Sequence, residues 1–231
     1  MNSPLIIALD FPEPEQALAF AQGIKNHCHQ VKVGKTLFTR SGPSLIESLQ
    51  KQGFKVFLDL KYHDIPNTVA SACRVAADLG VWMLNVHASG GKEMLFAARE
   101  ALDKYQSRPL LIAVTLLTSL NDQDLQTLGI QDSLKNTVLR LAQLTKTCGL
   151  DGVVCSPHEI ISLRETLGTE FTLVTPGIRP VGTIQNDQKR IMTPAEALKC
   201  GANYLVIGRP IIASPKPIQA LLEIMETIKH N

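Results

Sequence analysis

The stretch Phe54-Lys55-Val56-Phe57-Leu58-Asp59-Leu60-Lys61, continued by Tyr62-His63-Asp64-Ile65-Pro66-Asn67-Thr68, decides how the chain is read. Its opening is rich in β-branched and aromatic residues and follows the breaker Gly53, the signature of a strand entering a core. Residues two apart on a strand share a face, so Asp59 and Lys61 point the same way, side by side at the strand's end. Unpaired charges brought into a core cost several kcal/mol, so they persist there only when paired or when chemistry requires them. A third charge, Asp64, follows just past the strand. On these residues alone two readings stand: a solvated loop with a structural ion pair, or a charged pocket.

Working outward, the same kind of segment recurs. Strands are predicted over Leu5–Asp10, Gln30–Lys35, Phe54–Lys61, Trp82–Ala88, Leu110–Leu117, Gly152–Ser156, Phe171–Pro176 and Tyr204–Gly208. Between them lie apolar residues at helical spacing: Ala17, Leu18, Ala21 and Ile24 behind Pro14, and Leu134, Val138, Leu141 and Ala142 in the middle. A last helix carries Ile218, Leu221, Leu222, Met225 and Ile228, with Pro217 suited to its first turn. Eight strand–helix units in 231 residues fit a single (β/α)₈ barrel domain spanning residues 1–231 better than an open doubly wound sheet. Two loops exceed the usual economy. Thr118 to Asp132 is polar with room for one short extra helix, and Gly177 to Thr193 is long and poor in apolar residues.

Composition narrows the function. Hydrophobic residues make up 45% of the chain and charged residues 19%, which suits an enzyme with a sizeable core and argues against disorder. A formal net charge of +2 is too small to point to nucleic acid or an anionic membrane surface. The apolar run Leu5 to Leu9 stops at Asp10 without a basic segment before it, so no signal peptide is expected. No run approaches the roughly 18 apolar residues of a membrane span. The expected protein is soluble and cytoplasmic. Its five cysteines form no Cys-x-x-Cys pair and read as reduced packing residues rather than a disulfide framework or zinc site.

Barrel enzymes carry function at the C-terminal ends of their strands. The first strand ends in Asp10. The second carries Lys32 between Val31 and Val33; if the valines face the helices, Lys32 faces the interior with Asp59 and Lys61. Asp64 would then lie close by or come from another subunit. Two cations and two anions held in alternation each support the ionised form of their neighbours. At the other side, Arg179 follows the seventh strand while Gly208 and Arg209 end the eighth. Loops after these two strands form the common barrel phosphate site, and Gln188 in the long loop could add an amide donor from a closing lid. His63, His87 and His158 show no metal-ligand spacing, and His63 reads as a packing or supporting residue. Ser89-Gly90-Gly91 lacks a phosphate-loop fingerprint and reads as a tight turn into the next helix.

At these positions the run DLKYHDIPNT at 59–68 resembles the signature of the orotidine 5′-phosphate decarboxylase family. IIALD at 6–10, VKVGKTLF at 31–38, VTLLTS at 114–119, TPGIRP at 175–180, DQKRIMTP at 187–194 and VIGRP at 206–210 are similar to the same family in order. The resemblance implies a decarboxylase free of cofactor and metal that makes UMP from orotidine 5′-monophosphate (OMP) in pyrimidine synthesis. It also implies a homodimer with shared sites. Carried over by position, Lys61 protonates C6 of the pyrimidine, and Lys32, Asp59 and the partner's Asp64 complete its charge network. Asp10, Lys32 and the partner's Thr68 hold ribose hydroxyls, Thr118 addresses the pyrimidine edge, and Arg179, Gln188, Gly208 and Arg209 serve the phosphate.

Two rivals remain at this level. A related barrel lyase or aldolase acting on a sugar phosphate shares the Asp-x-Lys-x-x-Asp spacing and would arrange Asp59, Lys61 and Asp64 around magnesium. That reading gives no reason for Lys32, Thr118 and Gln188 together. A catalytically silent nucleotide-binding barrel would keep the phosphate residues but has no use for Lys61.

Overall fold

The computed structural model describes residues 3–180 and 192–229. Along it run β1 (Leu5–Ala8), α1 (Pro14–Ile24), β2 (Gln30–Gly34), α2 (Lys35–Ser41), α3 (Pro43–Lys51), β3 (Lys55–Tyr62), α4 (Pro66–Asp78), β4 (Met83–His87), α5 (Gly91–Glu100) and β5 (Leu110–Val114). Then come α6 (Asp122–Thr127), α7 (Leu134–Thr147), β6 (Gly152–Val154), α8 (Ile160–Leu167), β7 (Thr172–Thr175), α9 (Pro194–Lys199), β8 (Tyr204–Ile207), α10 (Arg209–Ile212) and α11 (Pro217–Lys229). The eight strands among the described residues form a closed barrel in sequence order, each parallel to its neighbours, with β8 pairing β1. This is the (β/α)₈ architecture that the strand–helix rhythm predicts.

Strand parity explains the layers. Ile6, Ala8, Phe57, Met83, Ile112, Val174 and Val206 point inward and fill the barrel as one cluster. Their alternate neighbours, among them Ile7, Val31, Val33, Val56, Leu58, Leu84 and Val86, join a larger cluster with helix residues such as Ala17, Leu49, Cys73 and Ala142. Each Val, Leu, Ile, Phe or Met side chain among them that is fully withdrawn from water contributes about 1.5–3 kcal/mol, so both faces of the strands are committed to burial. A charge on either face is therefore conspicuous.

The strands stop earlier than the apolar runs suggest. β1 ends at Ala8 rather than Asp10, β2 at Gly34 rather than Lys35, and β5 at Val114 rather than Leu117. At the C-terminal mouth the ladder gives way to other partners. The Thr115 hydroxyl donates to the Val154 carbonyl at 3.2 Å, and Lys35 starts a helix instead of ending a strand. β3 is displaced the other way, running to Tyr62. The extra helix expected within 118–132 is α6, closed by reciprocal bonds between Asn121 and Asp124. In α11 the buried stripe is Leu221 and Ile224, whereas Ile218 and Leu222 lie on its flank and are exposed, contrary to the simple periodic reading. The cysteines are free, four of them buried, and Ala88–Gly90 forms a short 3₁₀ turn before α5. Among the described residues, no helix is long and apolar enough to cross a membrane.

Candidate active site

The inward parity of Phe57 carries up β3 to Asp59, and that of Ala8, paired with Lys32, carries across to β2. Val31 and Val33 do face the helices, which leaves Lys32 inside. There Lys32 Nζ lies 3.3 Å from Asp10 Oδ1 and 3.3 Å from Asp59 Oδ2, while Lys61 Nζ donates to Asp59 Oδ1 at 2.5 Å. Asp10, Lys32, Asp59 and Lys61 thus alternate in sign along one line. Lys32 and Asp59 are buried, Lys61 is partly open, and the Asp10 side chain is 54% exposed at the outer end.

Charge decides the protonation states. Burial alone would lower the Lys32 ammonium, but the adjacent Asp59 and Asp10 carboxylates outweigh it and hold its pKa above the ordinary lysine value. Burial alone would likewise raise Asp59. The Lys32 and Lys61 ammonium groups, with hydrogen bonds from Lys61 and Asn85, hold it below the ordinary carboxylate value instead. Both groups are ionised at neutral pH.

The network forms the floor of a cavity of about 280 Å³. Asp10, Lys32, Asp59 and Lys61 line it from the ends of β1, β2 and β3, Thr118 follows β5, and Gly177, Arg179, Gly208 and Arg209 line it after β7 and β8, with Gly208 next to Asp10. Phe57, Val154, Val174 and Val206 supply apolar walls. Arg179 is buried, its guanidinium donating to the Ile178 carbonyl at 2.9 Å, and Arg209 opens α10. A side chain at Gly208 would place its Cβ 3.2 Å from Ala8 Cβ and 3.3 Å from Asp10 Oδ2, so any larger residue would crowd this corner unless its neighbours gave way by a few tenths of an ångström. The structure thus brings together Asp10, Lys32, Asp59, Lys61, Thr118, Arg179, Gly208 and Arg209. Asp64 and Thr68 do not line this cavity: both are exposed at the start of α4, where Asp64 accepts from the Ile65 N–H at 2.6 Å. Gln188 lies outside the described residues.

Sequence reasoning missed Asn85. It is fully buried on the inward face of β4; its Nδ2 donates to Asp59 Oδ1 at 2.7 Å and its Oδ1 accepts from the Lys61 N–H at 2.8 Å. The signal was present, since Asn85 stands between Leu84 and Val86 as Lys32 stands between two valines.

His87, next inward on β4, stacks at 5.3 Å on the exposed His63. Burial, then the charges of His63, Lys61 and Lys35, push its pKa down to about 4, against a weaker pull from Asp59. At this position the folded protein binds fewer protons than the unfolded chain between about pH 4 and 6.5, so the His87 contribution to stability falls as pH drops through that window. Denaturant midpoints measured from pH 7 to 4 are expected to fall more steeply for wild type than for His87→Asn. Equal slopes would show that His87 carries no such cost.

A closed parallel barrel with converging charged side chains at its C-terminal mouth assigns the chain to the (β/α)₈-barrel enzymes. A family model described as Orotidine 5′-phosphate decarboxylase / HUMPS family matches residues 3–224. The orotidine 5′-phosphate decarboxylase of Nitrosomonas europaea is 61% identical over 96% of this chain and 95% of its own. That of Nitrosococcus oceani is 57% identical over 99% of both. The crystal structure of orotidine 5′-phosphate decarboxylase from Lactobacillus acidophilus superposes with a TM-score of 0.86 at 38% identity, covering 98% of this chain and 99% of that one. A Pyrococcus horikoshii structure of the same name, at 24% identity and a TM-score of 0.78, shares the fold. The chain belongs to the orotidine 5′-phosphate decarboxylase / HUMPS family, and like these relatives it is an enzyme of the carboxy-lyase class.

Proposed function

We propose that this protein converts OMP to UMP and CO₂ in pyrimidine synthesis, without cofactor or metal, and that Lys61 is its proton donor. The observation that carries the reading is the position of Asp59. It is held between two ammonium groups in a cavity that Arg179, Gly208 and Arg209 also line. The names of the relatives point the same way.

Heterolysis of the bond from C6 to the carboxylate releases CO₂ and leaves the electron pair on C6, with no carbonyl placed to delocalise it well. A fixed ammonium beside that carbon stabilises the charge as it develops. Lys61 then delivers a proton to C6 and regains one from water. Asp59, set near the substrate carboxylate, disfavours the bound anion more than neutral CO₂, a difference that lowers only the barrier. Asp10 and Lys32 hold ribose hydroxyls, Thr118 the pyrimidine edge, and Arg179, Gly208 and Arg209 the phosphate, with Gln188 assigned to the same end by resemblance. Binding energy from the remote phosphate fixes the base against the charged floor.

The magnesium reading meets a specific obstacle. Each Asp59 oxygen is already engaged by an ammonium, and a divalent cation there would be repelled by Lys32 and Lys61. Following UMP and CO₂ from OMP in the presence of EDTA separates the two: activity is expected to be unchanged. Loss on chelation with recovery on added magnesium would favour the rival.

The sites are proposed to be shared across a homodimer, because Asp64 and Thr68 face outward beside Ile65, which is 68% exposed. Lys61→Ala and Asp64→Ala proteins are each expected to be inactive. Mixed in equal amounts and allowed to exchange, they should recover about a quarter of wild-type activity, since half the dimers are hybrids with one intact site each. No recovery after demonstrated exchange would contradict shared sites.

A further inference from the structure

We propose that Asn85 is a positioning residue for proton transfer: its carboxamide fixes the backbone of Lys61 and one oxygen of Asp59 at once, and so sets where the Lys61 ammonium points. This inference deepens the reading of Lys61 given above and rests on it.

The need for such a group comes from the register of β3 against β4. Leu58 pairs with Leu84, but the next pairing is Tyr62 with Val86. Four steps on β3 therefore face two on β4, and the residues between bulge out of the ladder. Within that bulge Lys61 has φ of 55°, the one non-glycine residue with positive φ among the described residues. Such backbone costs on the order of 1–3 kcal/mol and persists only where its surroundings over-determine it. In the gap between those two pairings the Lys61 N–H donates to the Asn85 carboxamide oxygen at 2.8 Å. The other half of the same amide donates at 2.7 Å to Asp59 Oδ1, the oxygen that also takes the Lys61 ammonium.

The partners leave no choice of amide orientation. A carboxylate can only accept and a backbone N–H can only donate, so the nitrogen must face Asp59 and the oxygen must face Lys61. Aspartate has the right size but lacks the donor, and alanine has neither group. Asn85 is absent from the residues lining the cavity, so it reaches a bound nucleotide only through Asp59 and Lys61. Its removal should therefore touch turnover and spare binding.

The test measures kcat, KM and the pH profile of wild type, Asn85→Ala and Asn85→Asp, with UMP affinity and thermal unfolding as checks on the fold. Losing a hydrogen bond to a charged group predicts a fall in kcat of about 10- to 100-fold, with KM within about threefold of wild type. In Asn85→Asp a second carboxylate beside Asp59 raises the pKa of the pair, so the acid limb of the profile moves to higher pH. The other titratable groups facing it, Lys61 on β3, Lys32 on β2, Asp10 after β1, Lys35 on α2, and His87 with His63 against it, are common to all three proteins. A folded variant with wild-type kcat, a variant altered only in KM, or an unmoved acid limb in Asn85→Asp would each overturn the proposal. So would failure of both variants to fold, which would assign Asn85 to the stability of the barrel. Crystal structures of the variants decide the geometric half without any activity. Lys61 is expected to leave positive φ and its ammonium to leave Asp59 Oδ1, and an unchanged Lys61 would again overturn it. A wild type that does not turn over OMP would instead refute the parent reading.

Discussion

Lys61→Ala protein is expected to retain less than about one part in 10⁵ of wild-type turnover of OMP while still binding UMP, because two separate effects are lost together. An ammonium about 4 Å from the charge developing on C6 is worth on the order of 4 kcal/mol at an effective dielectric of 20, close to a thousandfold in rate. Under the proposed mechanism the same group is also the general acid, a contribution of roughly 10²- to 10⁴-fold. Nucleotide binding is expected to survive because the proposed phosphate residues Arg179, Gly208 and Arg209 come after β7 and β8 and are left in place by the change on β3. Turnover near the wild-type level in this variant would remove Lys61 from the mechanism. Full binding with no turnover in wild type itself would favour the silent binding barrel.

The second large effect is expected from Asp59→Asn, which keeps the shape and removes the charge between Lys32 and Lys61. Breaking a buried ion pair by deleting one partner costs about 3–5 kcal/mol of stability, since the remaining charge is left uncompensated. The pH dependence identifies the cause. In wild type the Asp59 pKa is depressed, so its contribution is present above the ordinary 3.8 and is lost as pH falls through the folded value. The Lys32 pKa is raised, so its contribution is present below the ordinary 10.5 and is lost as pH rises through the folded value. The stability gap between wild type and Asp59→Asn should therefore be widest between about pH 4 and 10 and narrow on either side. Denaturant unfolding across that range measures it. A gap that does not vary with pH would mean that the loss is steric. Turnover should fall even at low temperature, where the destabilised variant is still folded, because under the proposed mechanism it no longer repels the substrate carboxylate or orients the Lys61 ammonium.

Much of this site follows from strand parity. Val31 and Val33 prefer the helix layer, so Lys32 has nowhere to go but inward, and Phe57 does the same for Asp59. The adjacency of Asp59 and Lys61 was also legible, though by a route simpler than the real one. Alternation puts them on one face of a regular strand, whereas the chain reaches that arrangement through a bulge with Lys61 at positive φ. No glycine or proline marks the bulge, because its support comes from Asn85 on the neighbouring strand, and cross-strand hydrogen bonds leave no local signature. The strand ends were overread for a similar reason. Leu116 and Leu117 continue the apolar run of β5, yet they line the cavity instead of the ladder. Asp64 and Thr68 escape strand parity, since they lie beyond the strand, Asp64 on an exposed bend and Thr68 in the first turn of α4.

The central claim is that the charged floor and the phosphate end of one cavity hold a pyrimidine with its C6 against Lys61. A crystal structure with a UMP-like ligand measures this directly. The expected result is C6 within about 3–3.5 Å of Lys61 Nζ, with the phosphate between Gly208 and Arg209. A nucleotide bound with its phosphate elsewhere, or with C6 turned away beyond reach of the ammonium, would contradict the account.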